Sequence, residues 1–71
     1  MTRVRVEGGI MTADQWNAMY APHQPIELTE DDGSKTYTQT RSIAWELSPG
    51  TFVVLVDGKT GGYDLDRIKA R

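Results

Sequence analysis

The stretch Thr51-Phe52-Val53-Val54-Leu55-Val56 is the most apolar in the chain and decides its fold class. β-Branched and aromatic residues dominate it, which favours an extended strand. Its apolar residues are consecutive instead of alternating, so we expect the strand to be central in a sheet or buried on both faces. It is also far shorter than the ~20 apolar residues that a membrane-spanning helix needs, so no membrane association is predicted.

Strand and turn signals lie on both sides of this stretch. Before it, alternating and β-branched residues separated by the turn Asp31-Asp32-Gly33-Ser34 predict a hairpin, and Ser48-Pro49-Gly50 predicts a second turn. After it, Asp57-Gly58 and Gly61-Gly62 bracket a turn before a last strand. The tight spacing of Leu65 to Ile68 predicts a turn that returns Ile68 to the core. The predicted strands cover residues 26–30, 35–47, 51–56 and 63–65.

One short helix is predicted near the N-terminus. Thr12 and Gln15 have the spacing of a capping box, in which each side chain satisfies the other residue's backbone N–H. Trp16, Met19 and Tyr20 follow at i, i+3 and i+4, which places them on one apolar stripe. A helix of about two turns is unstable alone, so this stripe should dock on the sheet.

These elements predict a mainly β fold (α+β by count). A short N-terminal helix packs on a small, strongly bent antiparallel barrel of four or five strands. Residues 1–10 form an N-terminal arm or edge strand, and residues 11–71 form a single small barrel domain. The predicted core consists of Trp16, Met19, Tyr20, Ile26, Leu28, Ile43, Trp45, Val54, Val56, Leu65 and Ile68.

Composition excludes several kinds of chemistry. The 71 residues include no cysteine, which removes disulfides, thiolate nucleophiles and sulfur-ligated zinc, and fits a reducing cytoplasm. The single histidine, His23, lies between Pro22 and Gln24 in a loop, so it lacks the partners that a metal site or a serine nucleophile would need. We therefore expect no enzymatic activity, no cofactor and no metal.

The charge pattern points to protein recognition. The net charge is −2, yet residues 11–34 carry five acidic side chains and no lysine or arginine. This acidic segment could approach a cationic surface of a partner, with an incompletely paired barrel edge or the helix–loop face as the contact surface. The candidate partner-binding residues are Glu27, Glu30, Asp31, Asp32, Arg41 and Lys59.

Nucleic-acid binding is the alternative. Small barrels bind single strands with a basic groove and exposed aromatic rings, and the C-terminal half supplies both residue types. Asp57, Asp64 and Asp66 interleave with its cations, however, and phosphate contacts normally dominate such affinity. The residues in question are Lys35, Arg41, Lys59, Arg67, Lys69 and Arg71, with Tyr37, Trp45 and Tyr63 as stacking candidates.

The strand-and-turn order resembles the Src-homology-3-like small barrels. Trp16-Asn17, the segment from Thr38 to Trp45, and Val53-Val54-Leu55-Val56 followed by Gly61-Gly62 also resemble small uncharacterised proteins encoded by bacteriophages and prophage-like elements. The resemblance implies a phage or mobile-element origin more than an activity. Together with the fold and the lack of a catalytic motif, it leads us to expect a non-enzymatic module that binds a host or phage protein in the host cell cytoplasm. An inhibitor of host defence and a regulator of host machinery are two versions of that role.

Overall fold

A computed structural model describes residues 11–71 of the chain, so the predicted arm or edge strand at residues 1–10 lies outside the described residues. The helix α1 spans Ala13–Met19. Six strands follow: β1 Pro25–Thr29, β2 Lys35–Gln39, β3 Trp45–Ser48, β4 Thr51–Leu55, β5 Gly62–Asp64 and β6 Ile68–Ala70. A 3₁₀ turn, Leu65–Arg67, joins β5 to β6.

The strands form two small antiparallel sheets. The first sheet has the order β2-β1-β6 and the second has the order β3-β4-β5. A single bridge between Thr40 and Val56 links the end of β2 to the end of β4. The mainly β prediction and the central position of β4 are confirmed. The described residues contain six strands instead of four or five, and neither sheet closes on itself, so the barrel is not confirmed.

Local signals account for the helix. The Thr12 hydroxyl accepts the Gln15 backbone N–H at 3.1 Å, and the Gln15 side chain accepts the Thr12 N–H at 2.9 Å. The predicted capping box is therefore present. Two of the tight turns place a glycine at positive φ, Gly33 at 89° after β1 and Gly50 at 80° after β3, where an L side chain would be strained.

The core lies between the two sheets and the inner face of α1. Seven of the eleven predicted core residues are buried, and Tyr20 packs against them while staying partly exposed. The tight turn predicted at Leu65 is present, and it returns Ile68 to the interior. The main core cluster consists of Ala13, Trp16, Ile26, Leu28, Ala44, Val54, Val56, Leu65 and Ile68.

The core prediction is wrong for three residues, which are exposed: Met19, Ile43 and Trp45. On α1 the buried residues are Ala13 and Trp16, and Met19 lies about 120° around the helix from Ala13. Around β3 the buried residue is Ala44, so its neighbours on both sides point to the opposite face. The sequence prediction put the large residues inside and thereby inverted the alternation by one residue.

Thr40 is the one fully buried polar side chain among the described residues. Its hydroxyl accepts the Gln24 backbone N–H at 3.1 Å. Its own N–H donates to the Gln24 carbonyl, and its carbonyl accepts the His23 N–H. Thr40 therefore fastens the 20–25 loop to the junction of the two sheets without leaving a buried polar group unpaired.

No helix in the described part of the chain is long and apolar enough to cross a membrane.

Candidate functional site

Two residues of the predicted charged site, Glu30 and Lys59, contact each other. The Lys59 ammonium lies 2.9 Å from a carboxylate oxygen of Glu30. The Thr36 hydroxyl donates to the same carboxylate at 2.5 Å. The Thr36 hydrogen bond and then Lys59 lower the pKa of Glu30, and Glu30 raises the pKa of Lys59. This pair ties the start of the β1–β2 turn to the β4–β5 turn.

The other acidic candidates also have partners within the chain. Glu27 lies 3.6 Å from the Lys35 ammonium, across the β1–β2 pair. Asp31 lies 2.6 Å from the Arg67 guanidinium. Asp32 accepts the Ser34 N–H and hydroxyl at 2.9 and 2.7 Å, which lowers the pKa of Asp32. Each acidic side chain is therefore engaged in the fold of the hairpin, and three of the four are paired with a cation.

Arg41 has a structural role. Its Nε donates to the Val56 carbonyl at 3.2 Å, and its Nη2 donates to the Lys59 carbonyl at 3.1 Å. The guanidinium thus holds the turn that follows β4. The structure brings Arg41, Lys59 and Glu30 to one end of the molecule, whereas Glu27 lies on the outer face of the first sheet. The six predicted residues do not form one continuous surface of free charges.

The Glu30 contacts predict an acid-sensitive stability. Because the pKa of Glu30 in the folded chain lies below its ordinary value of 4.5, its charge stabilises the fold above about pH 4.5. This stabilisation is lost as the pH falls through the lower folded value. The melting temperature of Glu30→Gln should therefore lie below that of the natural chain at pH 7, and the gap should narrow below pH 4.5. Thermal melts from pH 7 to pH 2.5 measure it.

The exposed acid Asp57 offers a matched control, since Asp57→Asn removes an equal charge. Its melting curve should run close to that of the natural chain over the same pH range. A constant gap between the natural chain and Glu30→Gln from pH 7 to pH 2.5 would contradict the assigned contacts.

Large apolar side chains are exposed around β3. Ile43 is 60% exposed, Trp45 37% and Leu47 64%. β3 pairs with β4 on one side and with no strand of residues 11–71 on the other. The pairing register shifts between Glu46 and Ser48, so the strand is short and bulged at Leu47. We call Ile43, Trp45 and Leu47 the β3 patch.

Trp45 covers the outer face of the second sheet. Its partner across the β3–β4 pair is Val53, which is buried although it lies outside the main core cluster. A Cβ built on Gly62 would lie 3.4 Å from the indole Cη2 and 2.8 Å from Val53 Cγ2. The indole therefore reaches across β4 to β5, and the missing side chain at Gly62 leaves room for Val53 beneath it.

Gly62→Ala should destabilise the fold for this reason. Val53 is β-branched, buried and paired, so it cannot easily yield to the added methyl group. Overpacking of this kind typically costs about 1–3 kcal/mol, or a fall in melting temperature of roughly 4–8 °C per kcal/mol in a domain of this size. Thr60→Ala, an exposed change two residues before Gly62, serves as the control. Melts of the two variants that coincide would contradict the close approach of Gly62 to Val53.

Asn17 attaches the helix to the chain just before β3. Its Nδ2 donates to the Ala44 carbonyl at 2.9 Å, and its Oδ1 accepts the Ala44 N–H at 2.8 Å. The side-chain amide thus pairs with Ala44 as a neighbouring strand would. This contact sets the width of a shallow groove between α1 and β3, whose described lining residues include Asp14, Ile43, Trp45, Glu46 and Phe52.

A second exposed surface lies on the first sheet. Tyr37 is 58% exposed, and the Arg71 guanidinium lies 4.6 Å from the centre of its ring. The strand register places Tyr37 and Lys69 on either side of Glu27. This face carries aromatic and basic groups, but the carboxylate of Glu27 lies at its centre.

The described residues offer no metal site. No group of three or more histidine, aspartate or glutamate side chains within residues 11–71 is placed to hold an ion. His23 is exposed, as predicted for a loop histidine, and its Nδ1 lies 3.2 Å from the Gln39 amide nitrogen.

Sequence reasoning missed the β3 patch although the signal was present. Ile43, Trp45 and Leu47 alternate with smaller or charged residues, a pattern that in a regular strand places the large apolar groups on one face. A prediction from side-chain size puts this face in the core because its residues are large. The strand is too short for its sequence pattern to show which face is buried.

No protein-family model matches the chain, and no curated protein or solved structure matches it either. The function has to be inferred from the geometry of the molecule itself.

Proposed function

We propose that this chain is a small non-enzymatic interaction module that binds a host or phage protein through the β3 patch. One observation carries the proposal. Three of the five large hydrophobic side chains that stand exposed among the described residues lie within residues 43–47, in and just before a strand that pairs on one side only within residues 11–71. A chain with a core this small gains nothing in stability from leaving them in water, so their exposure suggests a surface that a partner covers.

The residue types suit a protein partner. Tryptophan is enriched among the residues that dominate interface energies, and Trp45 lies against Val53 and next to Gly62. Ile43 and Leu47 flank it and would exclude water around it. Burying an aliphatic side chain contributes up to about 1.5–3 kcal/mol, so the patch could supply the centre of a small interface.

The resemblance to phage-encoded small barrels supports the same role. The link between the sheets at Thr40 and Val56, with the 3₁₀ turn that leads into β6, is compatible with a partly open barrel of the Src-homology-3-like kind. In that setting the module acts in the cytoplasm of the host cell, as an inhibitor of host defence or a regulator of host machinery.

Affinity capture from a nuclease-treated host lysate tests the proposal. The natural chain should retain a specific protein, and Ile43→Ser/Leu47→Ser should lose it by tenfold or more while melting normally, because both side chains are already exposed. Met19→Ser is the matched control, since Met19 is 61% exposed but lies on α1. Equal capture by the patch variant, or loss with the control alone, would contradict the proposal.

Nucleic-acid binding is the second candidate, favoured by the stacked Tyr37 and Arg71 on the first sheet. On that face, Lys69 and Arg71 form no ion pair within residues 11–71. They could neutralise about two phosphates of a nucleic acid. The expected salt slope is then no steeper than about −1.8, with weak binding at 150 mM salt. Micromolar binding of an oligonucleotide that Tyr37→Ala abolishes would shift the assignment to this face.

A further inference from the structure

We infer that the β3 patch binds a short extended segment in which lysine or arginine alternates with apolar residues, added beside β3 as a further strand. The inference rests on the proposed function and specifies the chemistry of the partner at the same surface.

Among residues 11–71, no strand pairs with the side of β3 that faces away from β4, and one backbone pairing position there is open. Ala44 directs its N–H and C=O away from β4, because Asn17 binds both groups. Along an antiparallel strand the N–H and C=O of successive residues point alternately to one side and the other. The N–H and C=O of Trp45 therefore point toward β4. Those of Glu46 point away from β4, as those of Ala44 do. An extended segment lying beyond Asn17 would therefore pair with the N–H and C=O of Glu46.

The charges around this position are negative. Asp14 and Glu46 are both exposed and line the groove, and none of the described residues that line it is a lysine or an arginine. Neither carboxylate takes part in an ion pair within residues 11–71. Asp64 also shares a cross-strand row with Val53 and Trp45. A basic segment complements these groups, and its apolar side chains would lie against the β3 patch.

The same charges disfavour a second copy of this chain. Two β3 strands paired edge to edge in antiparallel orientation would bring the Glu46 carboxylates of the copies near each other, and like charges across a strand pair are destabilising. The short, bulged strand also limits pairing to a few residues, so the affinity for an isolated peptide should be modest.

Two blocked peptides test the inference on the full chain: acetyl-Lys-Val-Lys-Val-Lys-amide and its counterpart with glutamate in place of lysine. NMR titration follows the Glu46 amide and the Trp45 indole. At low salt we expect the lysine peptide to bind at least about tenfold more tightly, to shift both signals, and to weaken as salt is added. A lysine peptide N-methylated at its central lysine, the residue opposite Glu46 in an antiparallel pair, should lose most of this affinity, because that nitrogen can no longer donate to the Glu46 carbonyl.

Variants assign the preference to the groove. Asp14→Asn/Glu46→Gln should abolish the tenfold preference. The introduced glutamine still offers an oxygen to the Gly50 N–H, which Glu46 accepts at 3.1 Å in the natural chain. Asp57→Asn/Asp66→Asn removes the same charge elsewhere and should keep the preference. Sedimentation of the free chain reports self-association.

Several results would overturn the inference: equal binding of the two peptides, a preference that both double variants retain, or signal shifts confined to the first sheet. A dimer lost in Ile43→Ser/Leu47→Ser would assign the strand edge to a second copy. If the lysine peptide binds only after residues 1–10 are deleted, the occupant of the β3 edge is instead residues 3–7 of the same chain. If the captured protein depends on the β3 patch but contacts it with an acidic or helical segment, this inference fails and the proposed function stands.

Discussion

Trp16→Ala should leave a largely unfolded chain. Trp16 is 3% exposed, lies in the main core cluster and packs on the Tyr20 ring with a centroid distance of 4.5 Å. Truncating a buried tryptophan typically costs about 3–5 kcal/mol. The whole stability of a domain this small is on the order of 5 kcal/mol, so little remains. Circular dichroism and a thermal melt measure the loss of structure.

Met19→Ala is the control for this prediction because Met19 lies on the same helix but outside the buried face. Its melting temperature should stay within a few degrees of that of the natural chain. If Trp16→Ala unfolds cooperatively at a melting temperature close to that of the natural chain, α1 is not docked through Trp16. The two sheets alone would then stabilise the core.

Asn17→Ala should be the next most damaging change. It removes both hydrogen bonds to Ala44 and leaves the N–H and C=O of a buried residue without partners. Each unsatisfied buried backbone group costs about 1–3 kcal/mol. Because water can partly satisfy the two groups of Ala44, we expect the free energy of unfolding to fall by about 2–4 kcal/mol. Urea unfolding at constant m-value gives the free energy of unfolding.

Ala18→Ser, an exposed change at the neighbouring helical position, provides the comparison and should cost well under 1 kcal/mol. A loss in Asn17→Ala no larger than in Ala18→Ser would show that water replaces the amide fully, and that Asn17 does not position the segment leading into β3. Peptide binding at Glu46 should then also be unaffected by the change.

The elements that local chemistry determines could be predicted from the sequence. The capping pair Thr12 and Gln15 marks the start of α1 through two short-range hydrogen bonds. The run 51–56 gives a central strand because consecutive apolar residues need cover on both faces, and Val53 and Val54 are indeed buried on opposite faces. Such signals involve residues a few positions apart.

The orientation of β3 could not be predicted in this way. It depends on a contact across 27 positions, between Asn17 and Ala44, and on the packing of Trp45 over Val53, its partner in β4. Size alone favours Ile43 and Trp45 as core residues. The tertiary contact selects the small Ala44 instead, because the helix approaches closely there.

The charged candidates were selected by composition, which does not report pairing. The acidic run from Glu30 to Asp32 has no cation within residues 11–34, yet folding brings Lys59 and Arg67 to it from the other half of the chain. Net charge along a segment therefore overstated the free negative charge of the hairpin. Asp14 and Glu46, which lie near the β3 patch and form no ion pair within residues 11–71, were not among the candidates.

Hydrogen–deuterium exchange on the complex with the captured protein locates the binding surface most directly. We expect slowed exchange at residues 43–48, with the Glu46 amide among the most protected, and unchanged exchange at residues 35–39 and 68–71. Protection of the Tyr37 and Lys69 strands with no change around β3 would contradict binding through the β3 patch and would place the partner on the first sheet.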